Sequence, residues 1–380
     1  MVAYGLWRRA DIWRFAKMSE GKLKTAILGL NQGGQLLLEA AGRVDDYQIH
    51  AVADTDANLA ERIAGECQCA AYDDYRQLVT QNQLDCLLVA AAMHSCEDHI
   101  RMAMKKKFNV LKLGPAARNF EEAAEFVRLG EDEGIKFAIA NPSRFARSFL
   151  ALHQFLQDGR IERVLEAPSA SDGVWEPFLM SAFCKVGDDP QPGWQTDPKL
   201  AGGGVLLHDG YWLIDQIAWN FGMPQQVYSL NTNQARDKQQ RLYLTEDTAI
   251  VAMKFTDTLI GNFTASRRAG IGPREEFLRL YGKDKILTVT GTQLTASDGL
   301  GRISEELKYD DDPLVCMTEL LKNFALSIIS PDKNPLCSSG RENLKNMAVI
   351  ESAYLSARTG FPEEPGRILQ MASRGAGKVT

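Results

Sequence analysis

The sequence has no C-x-x-C cysteine pair, no apolar stretch long enough for a bilayer, no surplus of positive charge and no internal repeat. Each absence removes a class of protein. The longest uninterrupted apolar run, residues 86–93, falls far short of the roughly 20 residues a spanning helix needs. Lysine plus arginine is 43 against 49 aspartate plus glutamate, for a net charge of −6. The longest cationic run, Lys105-Lys106-Lys107, reads as a solvated helix end. Nucleic-acid and membrane partners are therefore not expected. Seven cysteines form an odd set and no secretion signal is visible, so reduced thiols in a cytoplasmic compartment are expected. A serine nucleophile elbow and a paired metal-binding helix motif are also missing.

What is present is 380 residues, 45% hydrophobic and 24% charged, the balance of a globular protein with two domains. Residues 1–22 read as an extension, with Met18 placed like a natural start before a first strand. From Lys24 to about Asn141, short apolar strands (25–28, 47–53, 86–90, 109–113 and 136–140) alternate with helical patterns at 36–41, 58–65, 98–105 and 120–133. Asn119 and Glu122 sit at capping-box spacing, and Gly134 stops the helix that follows. Continuous apolar strands with amphipathic helices between them give a parallel sheet covered on both faces. From Val227 to about Ser297, strands separated by short turns (248–255, 261–266, 277–281 and 285–290) give an antiparallel sheet, and the last hundred residues return to helix. The expected fold is α/β followed by α+β. The expected domains are 23–143 and 144–366, with a tail over 367–380.

The first strand runs into Gly29-Leu30-Asn31-Gln32-Gly33-Gly34. A G-x-G-x-x-G turn uses one glycine for tightness, one for close approach to pyrophosphate and one for helix packing. Gly29 and Gly34 hold the outer places and Asn31 the middle one, where asparagine tolerates unusual backbone angles. Asp54 follows Gly34 by 20 residues, at the end of the second strand, where a carboxylate accepts from an adenosine ribose diol. The same carboxylate repels a 2′-phosphate, so NAD is expected over NADP.

Beyond this turn the chain resembles the glucose–fructose oxidoreductase, inositol dehydrogenase and rhizopine-catabolism oxidoreductase family over roughly residues 23–366. The motifs that carry the resemblance are GLNQGG at 29–34, VADTD at 52–56, NPSRF at 141–145, LAGGGVLLHDGYWLID at 200–215, DTAIVAMKFTDTLIGNFTASR at 247–267 and AYLSARTG at 353–360. The resemblance implies an N-terminal Rossmann domain that binds a nicotinamide cofactor. It also implies an α+β domain with an open, mostly antiparallel sheet that often forms homo-oligomer contacts, and oxidation or reduction of hydroxyl carbons on small sugars or polyols. It further implies that Gln32, Gly33, Ala91, His94 and Arg144 lie near the cofactor, and Trp194, Trp212 and Asp215 near the substrate.

The departures fall at the proton-handling positions. Members carry E-K-P after the fifth strand, and here Gly114 stands in the lysine place before Pro115. Members carry G-G-G-x-x-x-D-x-G-x-H. With the register set by Gly202-Gly203-Gly204, Gly210 and Asp215, His208 takes the aspartate place and Trp212 the histidine place. A hydroxyl that loses hydride must also lose its proton, so another base is required.

His208, whose imidazole titrates near neutrality, is the first candidate, against a helix-terminal histidine with only structural bonds. Lys112 lies two residues before Gly114, on the same strand face and about 7 Å lower, against the reading of a partly exposed strand lysine. Tyr211 stands three residues after His208 and four before Asp215, which permits a relay on one helical flank, against a ring that merely packs. Trp212 either stacks on substrate or cofactor or fills core, and Arg144 either lies by the cofactor or forms a surface ion pair. His94, Cys96 and His99 are suitable zinc donors, but three ligands within six residues rarely converge without distant partners, so no metal is expected. Two classes of function remain: an NAD-dependent oxidoreductase with a relocated acid/base group, and an NAD-binding sensor, scaffold or regulator without turnover; within enzymes, redox-cycling elimination or glycosidic cleavage with NAD retained is a third reading.

Overall fold

The computed structural model describes residues 21–158, 160–161, 165–166, 175–187, 191–234, 245–268 and 272–375. The extension expected over residues 1–17 lies outside the described residues. The chain divides into two compact units.

The first unit comprises residues 1–113, 126–140 and 313–339. Its strands are β1 (Leu23–Leu28), β2 (Tyr47–Ala53), β3 (Ala70–Tyr72), β4 (Cys86–Val89), β5 (Asn109–Leu113) and β6 (Phe137–Ala140). They form one parallel sheet in the order β3-β2-β1-β4-β5-β6. Strands buried on both faces must be apolar throughout, and the central β4 and the last strand β6 are buried at every position. The order reverses between β1 and β4, the place where such sheets open a crevice for ligands at their carboxyl ends. Helices α1 (Gln32–Gly42), α2 (Ala57–Cys67), α3 (Tyr75–Gln81), α4 (Met93–Lys105) and α5 (Phe120–Asp132) connect the strands.

Two sequence expectations change in this unit. The boundary expected at 143 misses α10 (Pro313–Ile329), which joins the first unit. It packs against α1, its Leu321 and Phe324 are fully buried, and the Tyr47 hydroxyl donates to the Leu321 carbonyl at 2.7 Å. Burying each such side chain stabilises the unit by about 1.5–3 kcal/mol. The Lys105–Lys107 run is not simply a solvated face. The Lys106 ammonium donates to the carbonyls of Val79, Thr80 and Asn82 at 2.9, 3.1 and 2.7 Å, which satisfies the open end of α3.

The second unit comprises residues 114–125, 141–312 and 340–380. It holds the small hairpin β7 (Arg160–Ile161) and β8 (Leu165–Glu166) and a large sheet. The strands of the large sheet are β9 (Leu179–Lys185), β10 (Gln226–Thr232), β11 (Thr248–Lys254), β12 (Ile260–Ser266), β13 (Glu275–Tyr281), β14 (Ile286–Val289), β15 (Gln293–Ser297) and β16 (Ile303–Lys308). Their order is β10-β11-β12-β9-β13-β14-β15-β16, antiparallel except where β9 and β12 run parallel. Alternation along the strands buries Val227, Val251, Phe263, Leu278 and Leu280 on one face. The other face leaves Leu230 and Ile250, a directly opposed cross-strand pair, 60% and 48% exposed.

Helices α6 (Arg147–Asp158), α7 (Pro198–Ala201), α8 (Val205–His208), α9 (Tyr211–Phe221), α11 (Gly340–Thr359) and α12 (Pro365–Gly375) complete the unit. Asn119 caps α5 as expected, with its Oδ1 accepting from the Glu122 amide at 2.9 Å. The returning Glu122 carboxylate takes the Arg118 amide instead of that of Asn119, so the box closes one residue early. All seven cysteines are free thiols. Among the described residues, no helix is long and apolar enough to cross a membrane.

Candidate functional site

In the first unit the β1–α1 turn is built from backbone that only glycine permits. Gly29 has φ +84°, and a Cβ there would lie 2.5 Å from the Ala91 amide nitrogen. A Cβ on Gly34 would lie 1.9 Å from the Gly29 carbonyl oxygen. Gly33 is less constrained, because its Cβ would meet side-chain atoms alone, the flexible end of Leu113 and, at 3.3 Å, the Asn31 Oδ1. Asn31 departs from the expectation of an unusual backbone, since its φ is an ordinary −59°. It works through its side chain: Oδ1 accepts from the Gly34 amide at 3.0 Å, and Nδ2 donates to the Ala90 carbonyl at 2.8 Å. The middle residue thus caps α1 and ties the turn to the end of β4.

No acidic residue stands in the first turn of α1, where exposed amides and the helix dipole favour an anion. Gln32 opens that helix and is exposed. Half-buried Asp54 is fixed at the end of β2, because its Oδ2 accepts from the Leu30 amide at 2.6 Å and its Oδ1 from the Asp56 amide at 3.0 Å. Glycines that bring backbone amides into the open, a helix start free of acids and a fixed carboxylate at the neighbouring strand end together suit a dinucleotide.

His94 lies in the first turn of α4, which begins after Ala92 without a side-chain cap. His99 sits five residues further along, edge-on to Tyr75 at 5.8 Å, where burial lowers its pKa below the usual imidazole value. Among the described residues, no cluster of three or more histidine, cysteine or carboxylate side chains is placed to hold a metal. Lys112 is 3% exposed, contrary to the partly exposed strand of the bland reading, and its ammonium donates to the Leu113 carbonyl at 3.1 Å.

In the second unit, the expected cofactor and substrate residues Arg144 and Asp215 turn out to be partners. The guanidinium reaches Asp215 through Nε and Nη2, both at 2.8 Å, with Asp215 fully buried and Arg144 6% exposed. This is a buried bidentate pair, not the surface ion pair of the alternative reading. Burial opposes the charge on Arg144, and Asp215 more than restores it, so the guanidinium is held above its ordinary pKa. Asn346 donates to Asp215 at 2.8 Å and to Asn343 at 3.0 Å, and Asn343 in turn accepts from Asn141 at 2.9 Å.

Tyr211 belongs to the same network. Its hydroxyl donates to Asn343 Oδ1 at 2.8 Å, and burial pushes its pKa far above the usual phenol range. The hydroxyl is thus committed to a structural bond, and the expected relay from His208 through Tyr211 is not formed. The Tyr211 ring lies 3.0 Å from where a Cβ of Gly114 would stand, so it fills space beside the position that loses its lysine.

His208 ends α8. Its Nε2 lies 3.2 Å from the Ala201 carbonyl oxygen, and the Trp194 ring packs edge-on at 5.7 Å. A carbonyl only accepts, so Nε2 carries the hydrogen and Nδ1 is the nitrogen with the lone pair in the neutral ring. Trp212 meets Phe149 edge-on at 5.8 Å, and the Arg274 guanidinium lies 5.9 Å from its ring centre. Arg274 also pairs with Glu276 and reaches Asp209 Oδ1 at 3.4 Å. Burial raises the pKa of both carboxylates, with Arg274 pulling the other way.

Sequence reasoning missed this cluster because Glu276, in β13, and Arg274, just before it, come from far along the chain. It also missed Glu246, which accepts from the Gly204 and Leu206 amides at 2.7 and 2.9 Å and from the Tyr354 hydroxyl at 2.8 Å. That carboxylate fixes the start of α8 and so places His208.

The Arg144–Asp215 pair yields a stability test. Asp215→Asn should cost about 3–5 kcal/mol in urea unfolding, because it leaves the buried guanidinium only the half-exposed Glu342, 3.4 Å from Nη1, as countercharge. Arg144→Met with Asp215→Leu should cost less than the single change. A loss below about 1 kcal/mol for Asp215→Asn, the size of a surface pair, would refute the reading.

Comparison with known proteins agrees with this geometry. A profile of the oxidoreductase family with NAD-binding Rossmann fold matches residues 23–140, and one of the GFO/IDH/MocA C-terminal domain matches residues 149–295. The 2,7-anhydro-N-acetylneuraminate hydratase of Mediterraneibacter gnavus is 24% identical over 54% of this chain and 52% of its own length. The Escherichia coli hydratase is also 24% identical, over 40% of each chain, so the matched segments span about half or less of these relatives. Thermotoga maritima myo-inositol 2-dehydrogenase is 20% identical over 71% of this chain and 73% of its own. Among solved structures, an inositol dehydrogenase homologue from Azotobacter vinelandii in complex with NAD+ superposes with a TM-score of 0.77 at 16% identity, covering 91% of this chain and 98% of that one. An Agrobacterium radiobacter oxidoreductase in complex with NAD+, L-tartaric acid and magnesium gives 0.75 at 17% identity, covering 91% and 99%. With both of its domains matched, the chain belongs to the GFO/IDH/MocA family of oxidoreductases with an NAD-binding Rossmann fold.

Proposed function

We propose that the protein is an NAD-dependent oxidoreductase acting on a sugar, polyol or related hydroxy compound, with His208 as its non-standard acid/base group. The observation that carries the reading is the glycine turn with Asp54 fixed beside it. NAD supplies the hydride acceptor when bound. Gly29 and Gly34 hold the backbone clear for pyrophosphate, the α1 amides face its charge, and Asp54 takes the ribose hydroxyls. His208 removes the proton of the reacting hydroxyl at Nδ1, with its ring steadied by Ala201 and Trp194. Trp212 and Trp194 offer apolar faces to the carbon skeleton. The free thiols fit a reducing, cytoplasmic compartment.

The second reading, an NAD-binding protein without turnover, is favoured by one observation: Tyr211 fills the space beside Gly114 and bonds only inward.

Calorimetric titration should show NAD bound at least about tenfold more tightly than NADP, because the Asp54 carboxylate repels a 2′-phosphate. Asp54→Ala should weaken NAD selectively and narrow that gap. Equal or tighter NADP binding by the natural chain would remove the assignment.

His208→Asn should lower turnover about 100-fold while sparing NAD affinity, the usual share of a general base. If Lys112→Met loses activity while His208→Asn keeps it, the base is Lys112. If NAD binds but no sugar, polyol or keto-sugar is turned over, the non-catalytic reading takes its place.

The exposed face carrying Tyr228, Leu230, Ile250 and Ile260 suits a second copy of the chain, since apolar pairs across neighbouring strands make a self-complementary surface. Light scattering should give a mass above one chain. Leu230→Glu with Ile250→Glu should shift it towards the monomer, and an unshifted natural monomer would end the proposal.

A further inference from the structure

A cavity of about 700 Å³ opens in the second unit between α7, the Gly202–Gly203 segment, the ends of β10 and β11, and α11. His208, Trp194 and Trp212 are not among its walls. Its size is that of small-molecule sites.

The floor is rigid. Glu246 is 7% exposed and its oxygens already accept from two backbone amides and the Tyr354 hydroxyl. A Cβ on Gly203 would lie 2.1 Å from that hydroxyl oxygen, so the floor leaves no slack. The floor carboxylate is therefore satisfied from within.

The remaining walls are rich in hydrogen-bond donors. The Lys199 ammonium has no ion-pair partner among the described residues. Arg358 is 69% exposed and only just reaches Glu351, at 4.0 Å. By contrast, Arg118 is already neutralised by Glu122 at 2.7 Å. Asn231 and Asn233 use their amide oxygens on Ser229 and Gln234, which leaves their NH2 groups as donors. One cation without an ion-pair partner among the described residues, a second held only by a long contact to Glu351, and two amide NH2 groups call for an occupant that brings acceptors.

We propose that this cavity is a second ligand site, for a small polyhydroxylated anion whose phosphate or carboxylate meets Lys199 and Arg358 and whose hydroxyls meet Asn231 and Asn233. The site does not depend on the assigned redox activity, and its test reads binding alone.

The full chain, saturated with NAD, would be titrated calorimetrically with glucose 6-phosphate, gluconate, inorganic phosphate and glucose. At least one of the two sugar anions should bind one per chain and more tightly than glucose. The pattern across glucose 6-phosphate and gluconate separates a phosphate from a carboxylate preference. Lys199→Ala with Arg358→Ala should weaken that binding about tenfold or more, in line with two lost charge-assisted contacts. NAD affinity and the melting temperature without added anion should stay unchanged, because both side chains lie at the rim. Three results would overturn the proposal: no sugar-anion binding up to about 10 mM, glucose binding as tightly as the anions, or full-strength binding by the double variant.

Discussion

The second unit is organised around one ion pair out of reach of water. Arg144 leaves the turn after β6, Asp215 sits in the middle of α9, and two parallel hydrogen bonds fix them at one distance and in one plane. A bidentate guanidinium–carboxylate pair has little tolerance for rotation, and a buried one must satisfy every remaining donor and acceptor. Polar side chains of α11 contribute to that, with the Glu342 carboxylate 3.4 Å from the Arg144 Nη1. Asn346 holds Asp215, Asn343 receives both Asn141 and Tyr211, and the network joins the turn at 141–145 to α9 and α11. The position of α9, and with it Trp212, follows from this polar core as much as from apolar packing.

How much of this was legible depends on the reach of each interaction. The β1–α1 turn, its glycines and Asp54 could be read because strand, turn, helix and acid lie within about thirty residues of one another. The parallel strands could be read because burial on both faces forces continuous apolar runs. The same logic hid β9. Its sequence LMSAFCK buries only alternate residues, and its neighbours β12 and β13 lie far ahead in the chain. The large sheet is therefore centred on a strand that sequence patterning passes over. α10 was readable as a helix but not as a member of the first unit, because nothing local says which sheet an amphipathic helix covers.

Side-chain roles at the candidate site were harder still. The register put His208 and Trp212 at family positions, but register gives no side-chain partner. Arg144 and Asp215 were assigned separately to cofactor and substrate, whereas they pair across 71 positions. Tyr211 was placed by helical spacing on the flank of His208, yet α8 ends at His208 and α9 begins anew at Tyr211, so one helical wheel does not describe both. Asn31 shows the same gap in a milder form: the residue suits its turn, through hydrogen bonds and not through backbone freedom.

The packing of Tyr211 against Gly114 limits what position 114 can carry. A Cβ at position 114 would already press on the tyrosine ring at 3.0 Å, and the ring has no retreat because its hydroxyl is anchored to Asn343. A side chain at position 114 would have to displace that ring, and displacing it works against the bond to Asn343. The smallest residue in the sequence thereby becomes part of the polar core around Asp215, since what stands at 114 decides whether Tyr211 can keep its place in that network.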